Sequence, residues 1–327
     1  MAEVVVKKEE KVEGKSFWKT ALNKFGPLIG LFLLCVVLTI LTDRFLTVNN
    51  IMNVARQASI NAILSLGMLL PILTAGIDLS VGSVLAISIM VMGVVSVLWG
   101  LDPVVGLLVC LAVGAFFGFL NGIMLTKLRL PHPFISTLGM MNIARGLALI
   151  ITAAAPIAGF PYIIQFLGAE FVGPIPVSFI LVIFVYILFH FFLTRTQTGR
   201  HIYAIGGNKE AARLSGINVD RVLIIVYTIS GFMAALGGIV MVGRVDSAFP
   251  LAGMMFELDA IAAVIIGGAS FFGGVGTVWG TLIGALIIAV LRNGLNLLNV
   301  AADLQMTVIG LVIIAAVYVD VLRQKKK

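Results

Sequence analysis

From Phe25 to its C-terminal end the sequence is a succession of apolar runs separated by short polar breaks. Each run approaches the about 17–25 residues that carry a helix across the hydrocarbon core of a bilayer. That pattern constrains the fold more than any other feature, because backbone amides and carbonyls in lipid must be satisfied inside helices or closed barrels. Alternation over roughly ten residues, the mark of a membrane barrel strand, is absent. An all-α, polytopic membrane protein follows. Composition agrees: the 327 residues are 60% hydrophobic and 11% charged, against about a quarter charged for a soluble domain.

The runs predict ten membrane helices: Phe25 to Thr42, Ile60 to Gly76, Val81 to Gly100, Pro103 to Thr126, Phe134 to Ala155, Val177 to Leu193, Val222 to Val242, Ala260 to Phe272, Val275 to Leu291 and Met306 to Val321. Ala260 to Phe272 is too short to cross alone, so residues 260–291 are read either as two crossings or as a re-entrant hairpin. The domain plan is a head at residues 1–24, a membrane domain at 25–322 and a basic tail at 323–327. Of 22 Lys and Arg, six lie in the head, two at Lys127 and Arg129, five from Arg195 to Arg221 and four in the tail. The positive-inside rule then expects both termini and the 195–221 loop in the cytoplasm. Topology accounts for the net charge of +7, and no folded basic face for nucleic acid is implied. No small-residue cleavage pattern follows the first apolar run, where Leu41, Thr42, Asp43 and Arg44 stand, so the N-terminal region reads as a signal anchor and not as a removed signal peptide. Cys35 and Cys110 fall inside apolar runs, as small buried hydrophobes do, so neither a disulfide framework nor a metal site is expected.

The 195–221 loop contains a compact signal. Asn208 can cap the first amides of a helix, Glu210 complements its positive end, and Gly216 can adopt the left-handed stop. Between them stand Lys209, Ala211, Ala212, Arg213 and Leu214. A two-turn helix is marginal alone in water. It must be held, either by lying on its own bundle or by docking a soluble partner.

Residues Glu210, Ala211, Ala212 and Gly216 resemble the coupling motif of bacterial ABC importer permeases. Further blocks, Gly76 to Ser83, Gly206 to Asn218, Glu257 to Ala262 and Gly267 to Gly284, are similar to the ribose-type branch of the monosaccharide permeases and occur in that family's order. The likeness runs from about Thr47 to Val321 and is weakest in the head and in Ala155 to Pro176. It implies a type II importer permease fold in which the 208–216 segment (Asn208, Lys209, Glu210, Ala211, Ala212, Arg213, Leu214, Gly216) seats in a cytoplasmic ABC ATPase. It also implies a homodimer of permeases, a periplasmic sugar-binding protein, location in the bacterial inner membrane, and ATP with Mg bound by the ATPase, with no cofactor in this chain.

Polar residues inside the apolar runs are the remaining candidates. Asp78 and Ser80 stand at a glycine-flanked break, where they can cap a helix or wall a path or gate. Asn61, Ser65, Asn121, Ser136, Thr137 and Asn142 offer neutral partners to a polyol, or to neighbouring helices. Arg145 is costlier in a span and is expected to pair with a carboxylate or carbonyls, or to face water. The glycine-rich stretch from Gly267 to Gly284 suits close backbone approach. It is no phosphate loop, since no Gly-Lys-Ser or Gly-Lys-Thr ends it. Arg44, Arg56 and Arg244, on outer loops with Asp43, Asp102, Glu170, Asp246, Glu257 and Asp259, are candidates for meeting acidic groups of a binding protein. An ion-coupled secondary transporter is the alternative, opposed by the lack of a mid-span carboxylate pair or carboxylate–histidine relay. An intramembrane enzyme lacks a nucleophile elbow or a metal-binding histidine helix.

Overall fold

The computed structural model describes residues 26–324, so the head and the last three residues of the tail lie outside it. Helices dominate: α1 (Gly26–Leu41), α2 (Val48–Leu73), α3 (Val81–Gly93), α4 (Pro103–Thr126), α5 (Pro133–Ile151), α6 (Tyr162–Ala169), α7 (Val177–Arg195), α8 (Gln197–Gly207), α9 (Lys209–Leu214), α10 (Val219–Val245), α11 (Phe256–Ile266), α12 (Val278–Leu297) and α13 (Ala302–Gln324). A π turn, Val94–Leu98, extends α3. Each of the ten expected segments holds a helix, but seven are long and apolar enough to cross a membrane by themselves: α2, α3 with its π turn, α4, α5, α7, α10 and α12. The apolar parts of α1 and α13 are shorter. Helix α11, with 11 residues, rises only about 16 Å. Its partner α12 follows after a turn over residues 267–277, so the uncertain segment resolves into a half-length helix and a full one.

Helices α2 and α3 form the centre, 83% and 78% buried over their apolar windows, and α4, α5 and α7 the perimeter at 28–33%. The long α10 is fastened to α4 by backbone contact. Gly114, Gly118 and Gly122 on α4 meet Gly231, Tyr227 with Thr228, and Ile224 on α10, and a Cβ at Gly114 or Gly118 would strike a main-chain oxygen. Small residues every four positions allow this approach. Between α5 and α7, where no apolar run was expected, lie α6, a ribbon of β2 (Phe171–Val172) with β3 (Ile175–Pro176), and β1 (Ile157–Ala158), which pairs antiparallel with β4 (Ser247–Ala248) after α10. Gly168 of α6 sits against the backbone of Val240 and Arg244.

Two helices are broken at depth. The last turn of α2 is followed by a non-helical stretch through Ser80, with Ala75 at φ 58°. Asp78 in that stretch is hydrogen-bonded to Ser230, which is the twelfth residue of α10 and so about 16 Å from its start. Helix α3 therefore opens near the middle of the bundle. The segment after β4 descends to the same place: Gly253 (φ 69°) and Glu257, at the start of α11, lie against Gly82 of α3, leaving no room for a Cβ. The N-termini of α3 and of the half-length α11 thus meet side by side, an arrangement that discontinuous transporter helices use to place positive dipole ends at mid-membrane.

Candidate functional site

The 195–221 loop folds into two helices, α8 and α9. In α9 the Asn208 side chain accepts from the Ala211 amide (2.9 Å). The end is closed by Gly216 (φ 84°), whose amide donates to Arg213 O (3.0 Å) while Ile217 donates to Ala212 O (3.1 Å). That pair of bonds is the Schellman stop, and glycine meets the left-handed angle at no steric cost. Lys209, Glu210, Ala211, Arg213 and Leu214 are exposed, Leu214 at 82%, and Ala212 is the buried anchor. Glu210 and Arg213 form an exposed pair at 3.5 Å, which contributes little. Ala211 and Leu214 thus both point outward.

Helix α8, which the sequence reading missed, holds the stub to the bundle. Ile202 and Ile205 are buried, and Tyr203 Oη donates to Gly276 O (2.9 Å). Burial pushes the Tyr203 phenol up from its ordinary pKa, so it stays a donor. Gly206 touches the Leu73 carbonyl and the Gly274 amide, and Gly274 itself donates to Leu73 O (2.9 Å). The turn at 267–277 uses positive φ at Gly268, Gly273 and Gly274 to reach this junction. One joint therefore links α8, the end of α2 and the α11–α12 turn.

At the α2–α3 break Asp78 is 1% exposed and Ser80 fully buried. Asp78 Oδ1 accepts from Ser80 N (3.0 Å) and Ser80 Oγ (2.6 Å), and Oδ2 from Ser230 Oγ (2.8 Å). Ser80 Oγ also accepts from Asn121 Nδ2 (2.8 Å). Among the described residues Tyr227 Oη and Asn121 Oδ1 have no partner, and Tyr227 Oη lies against Gly76. Thr137 Oγ1 reaches Ile77 O (3.3 Å) and so ties α5 to the break.

Beside it Arg145 Nη1 donates to Pro250 O (2.6 Å) and Ala252 O (2.7 Å), with Glu257 within electrostatic reach. The carbonyl partners anticipated for this arginine hold the descending segment before α11. Asp259, expected on an outer loop, is instead buried in α11 and paired with Arg292 of α12 at 2.6 Å. Arg292 stood one residue past the end assigned to its apolar run, which is why the pair was missed.

The other polar candidates scatter. Asn61 is half-buried, accepts from Ser65 (3.4 Å), and leaves Nδ2 without a partner among the described residues. Asn142 is exposed and bonded within its own helix to Leu138 O. Arg44 is exposed at the turn before α2. Arg56, in α2, stands 5.5 Å over the Phe171 ring, and Arg244 at the end of α10 is within electrostatic reach of it. Asp246 (φ 50°) accepts from Phe160 N and Gln165 Nε2, fixing α6 to the end of α10. Among the described residues no three His, Cys, Asp or Glu side chains cluster as metal ligands.

A family described as branched-chain amino acid transport system / permease component matches residues 50–317. The ribose import permease protein RbsC of Bacillus subtilis (strain 168) is 44% identical over 302 residues, 91% of this chain and 93% of that protein. The protein of the same name in Escherichia coli (strain K12) is 44% identical over 315 residues, 93% and 95% of the two chains. The D-allose transport system permease protein AlsC of Escherichia coli (strain K12) is 42% identical over 313 residues, 94% of each. No solved structure matches the chain. Relatives this similar over nearly their full length, a matching family profile and a bundle of apolar helices agree, and the chain belongs to the branched-chain amino acid transport system / permease component family, beside its ribose import permeases.

Proposed function

We propose that this chain is the membrane subunit of an ATP-driven importer that passes a monosaccharide, ribose or a close relative, through the bacterial inner membrane by alternating access. The observation that carries the reading is the α8–α9 unit: a capped stub with its polar and apolar side chains exposed, fastened by a joint to both broken helices. ATP and Mg belong to a separate cytoplasmic ATPase that takes Glu210 and Leu214 into a groove. Motion of the stub reaches the end of α2 through Gly206 and the α11–α12 turn through Tyr203, and so the breaks at Asp78 and Gly253. Two copies of the chain enclose the path, whose polar lining includes Asn61, Asn142 and Arg145, and the termini face the cytoplasm. Arg56 and Arg244, with Arg44 beyond them, meet carboxylates of a periplasmic sugar-binding protein. The names of the relatives, ribose and D-allose permeases, set the substrate class.

The test is uptake of labelled ribose and allose into proteoliposomes. The chain alone should pass neither sugar. Uptake should require a cognate ATPase, a loaded binding protein and ATP together. Gradient-driven uptake by the chain alone would transfer it to the ion-coupled class.

A further inference from the structure

After β4 the chain re-enters the bundle through residues 249–255, which form turns and no helix, before α11 begins. Two measures fix the depth of this segment. Gly253 lies against Gly82, and the chain on either side of Gly82 is tied to the middle of α10, by Asp78 to Ser230 and by Leu85 with Ile89 to Gly238. Counted from the turn at 267–277, where Gly276 meets Tyr203 of α8, the 11 residues of α11 lift its start by about 16 Å. That is half of a hydrocarbon core of about 30 Å. At this depth an irregular backbone does not stand against lipid, because it must be buried in protein or line a water-filled cavity. Here it is not buried: Leu251 is 53% exposed and Met254 60%.

The neighbours of the segment agree that its open side is wet. Arg145 is half-buried and donates to Pro250 O and Ala252 O, and a guanidinium at mid-membrane faces water or protein and not lipid. Asn142, three residues earlier on the same side of α5, exposes its amide. The side chains that the segment presents to this polar surrounding are nevertheless apolar. Met255, also exposed, keeps a left-handed φ of 66°, a strained angle for a long side chain and of the kind that collects at clamps and switch regions. Its carbonyl accepts from Leu258 N and Asp259 N, which fixes the residue to the first turn of α11. An apolar constriction in a wet path closes it by excluding water. We infer that Leu251, Met254 and Met255 form the closed gate of the path, where they meet the same three residues of the second copy, and that Arg145 holds them in place through the carbonyls of Pro250 and Ala252. The inference rests on the path between two copies proposed above and adds which residues shut it.

The full-length chain would be reconstituted alone into vesicles loaded with labelled ribose, without ATP. The unmodified chain should hold the gradient. Leu251→Ser combined with Met254→Ser should leak ribose about tenfold faster, the change that lowering a barrier by about 1.4 kcal/mol produces. Met254→Leu should stay tight. So should Phe116→Ser, because Phe116 is exposed on α4 at the same depth, between Gly114 and Gly118 where they meet α10. A tight double variant, or an equal leak in Phe116→Ser, would overturn the gate. Met254→Cys, in a chain with Cys35 and Cys110 replaced by serine, gives a second reading that spares the fold. Attaching a sulfonate to it with a water-soluble thiol reagent should open the leak, and the same treatment of Phe116→Cys should not. Failure of the reagent to modify Met254→Cys would put the segment out of reach of water and overturn the gate as well. ATP-driven uptake by the full assembly beside a tight double variant would sink the gate alone. A leak through the double variant with no ATP-driven uptake would keep the gate and count against the ATP-driven reading.

Discussion

The Asp259–Arg292 pair is unequally shielded: the aspartate side chain is 8% exposed and the arginine side chain 41%. Removing the two partners therefore has unequal costs. Arg292→Gln strands a buried carboxylate and should cost about 3 kcal/mol, the range for an uncompensated buried charge. Asp259→Asn leaves an arginine whose side chain is 41% exposed, and its cost should be smaller, about 1 kcal/mol. Thermal unfolding of both variants in one detergent reads the order, and a larger loss in Asp259→Asn would mean that Arg292 is enclosed in the assembled protein. Ser80 follows related logic. Its hydroxyl donates to Asp78 and accepts from Asn121, so Ser80→Ala leaves two buried groups short of a partner and should cost about 1–3 kcal/mol by the same measurement.

The stub allows fold and docking to be separated. Leu214 is 82% exposed, so Leu214→Ser should leave stability within about 0.5 kcal/mol, as surface changes do. Association with the ATPase, read by co-purification, should nonetheless fall. Gly206→Ala is the reverse case: a Cβ there runs into the Leu73 carbonyl and the Gly274 amide. It should leave Glu210 and Leu214 free to dock yet disconnect ATP hydrolysis from uptake. Normal coupling in Gly206→Ala would remove the joint from the mechanism. The sequence showed α9 because its caps, Asn208 and Gly216, act within a few residues. Its two-turn length and the ten apolar segments were legible for the same local reason. Helix α8 was not, because its buried residues Ile202 and Ile205 alternate with glycines and polar groups, and what holds it, Tyr203 on Gly276 and Gly206 on Leu73, is distant in sequence. The Asp78 break was visible as Gly76 to Ser80, but its partners Ser230 and Asn121 come from other helices. The depth of Glu257 and Asp259 depended on the descent of the chain after β4, which no spacing within the segment announces.

The arrangement of the whole bundle fixes a separation that can be tested without transport. The turn at 267–277 touches α8 through Tyr203 and Gly206, so it lies at the level of the stub. From there α12 runs for 20 residues to Leu297, about 30 Å, the thickness of a hydrocarbon core. Leu298, at its far end and 39% exposed, must then stand on the face opposite Leu214. Charge asymmetry, with five of the chain's cations between Arg195 and Arg221, predicts a stub on the cytoplasmic side. With Cys35 and Cys110 replaced by serine, Leu214→Cys should react with an impermeant maleimide only in inside-out vesicles, and Leu298→Cys only in right-side-out ones. Reaction of both from one face would contradict the membrane crossing of α12. A clean exchange of the two patterns would keep the fold but put the stub outside the cell, where no ATPase could reach it, and the coupling role of Glu210 and Leu214 would fall with it.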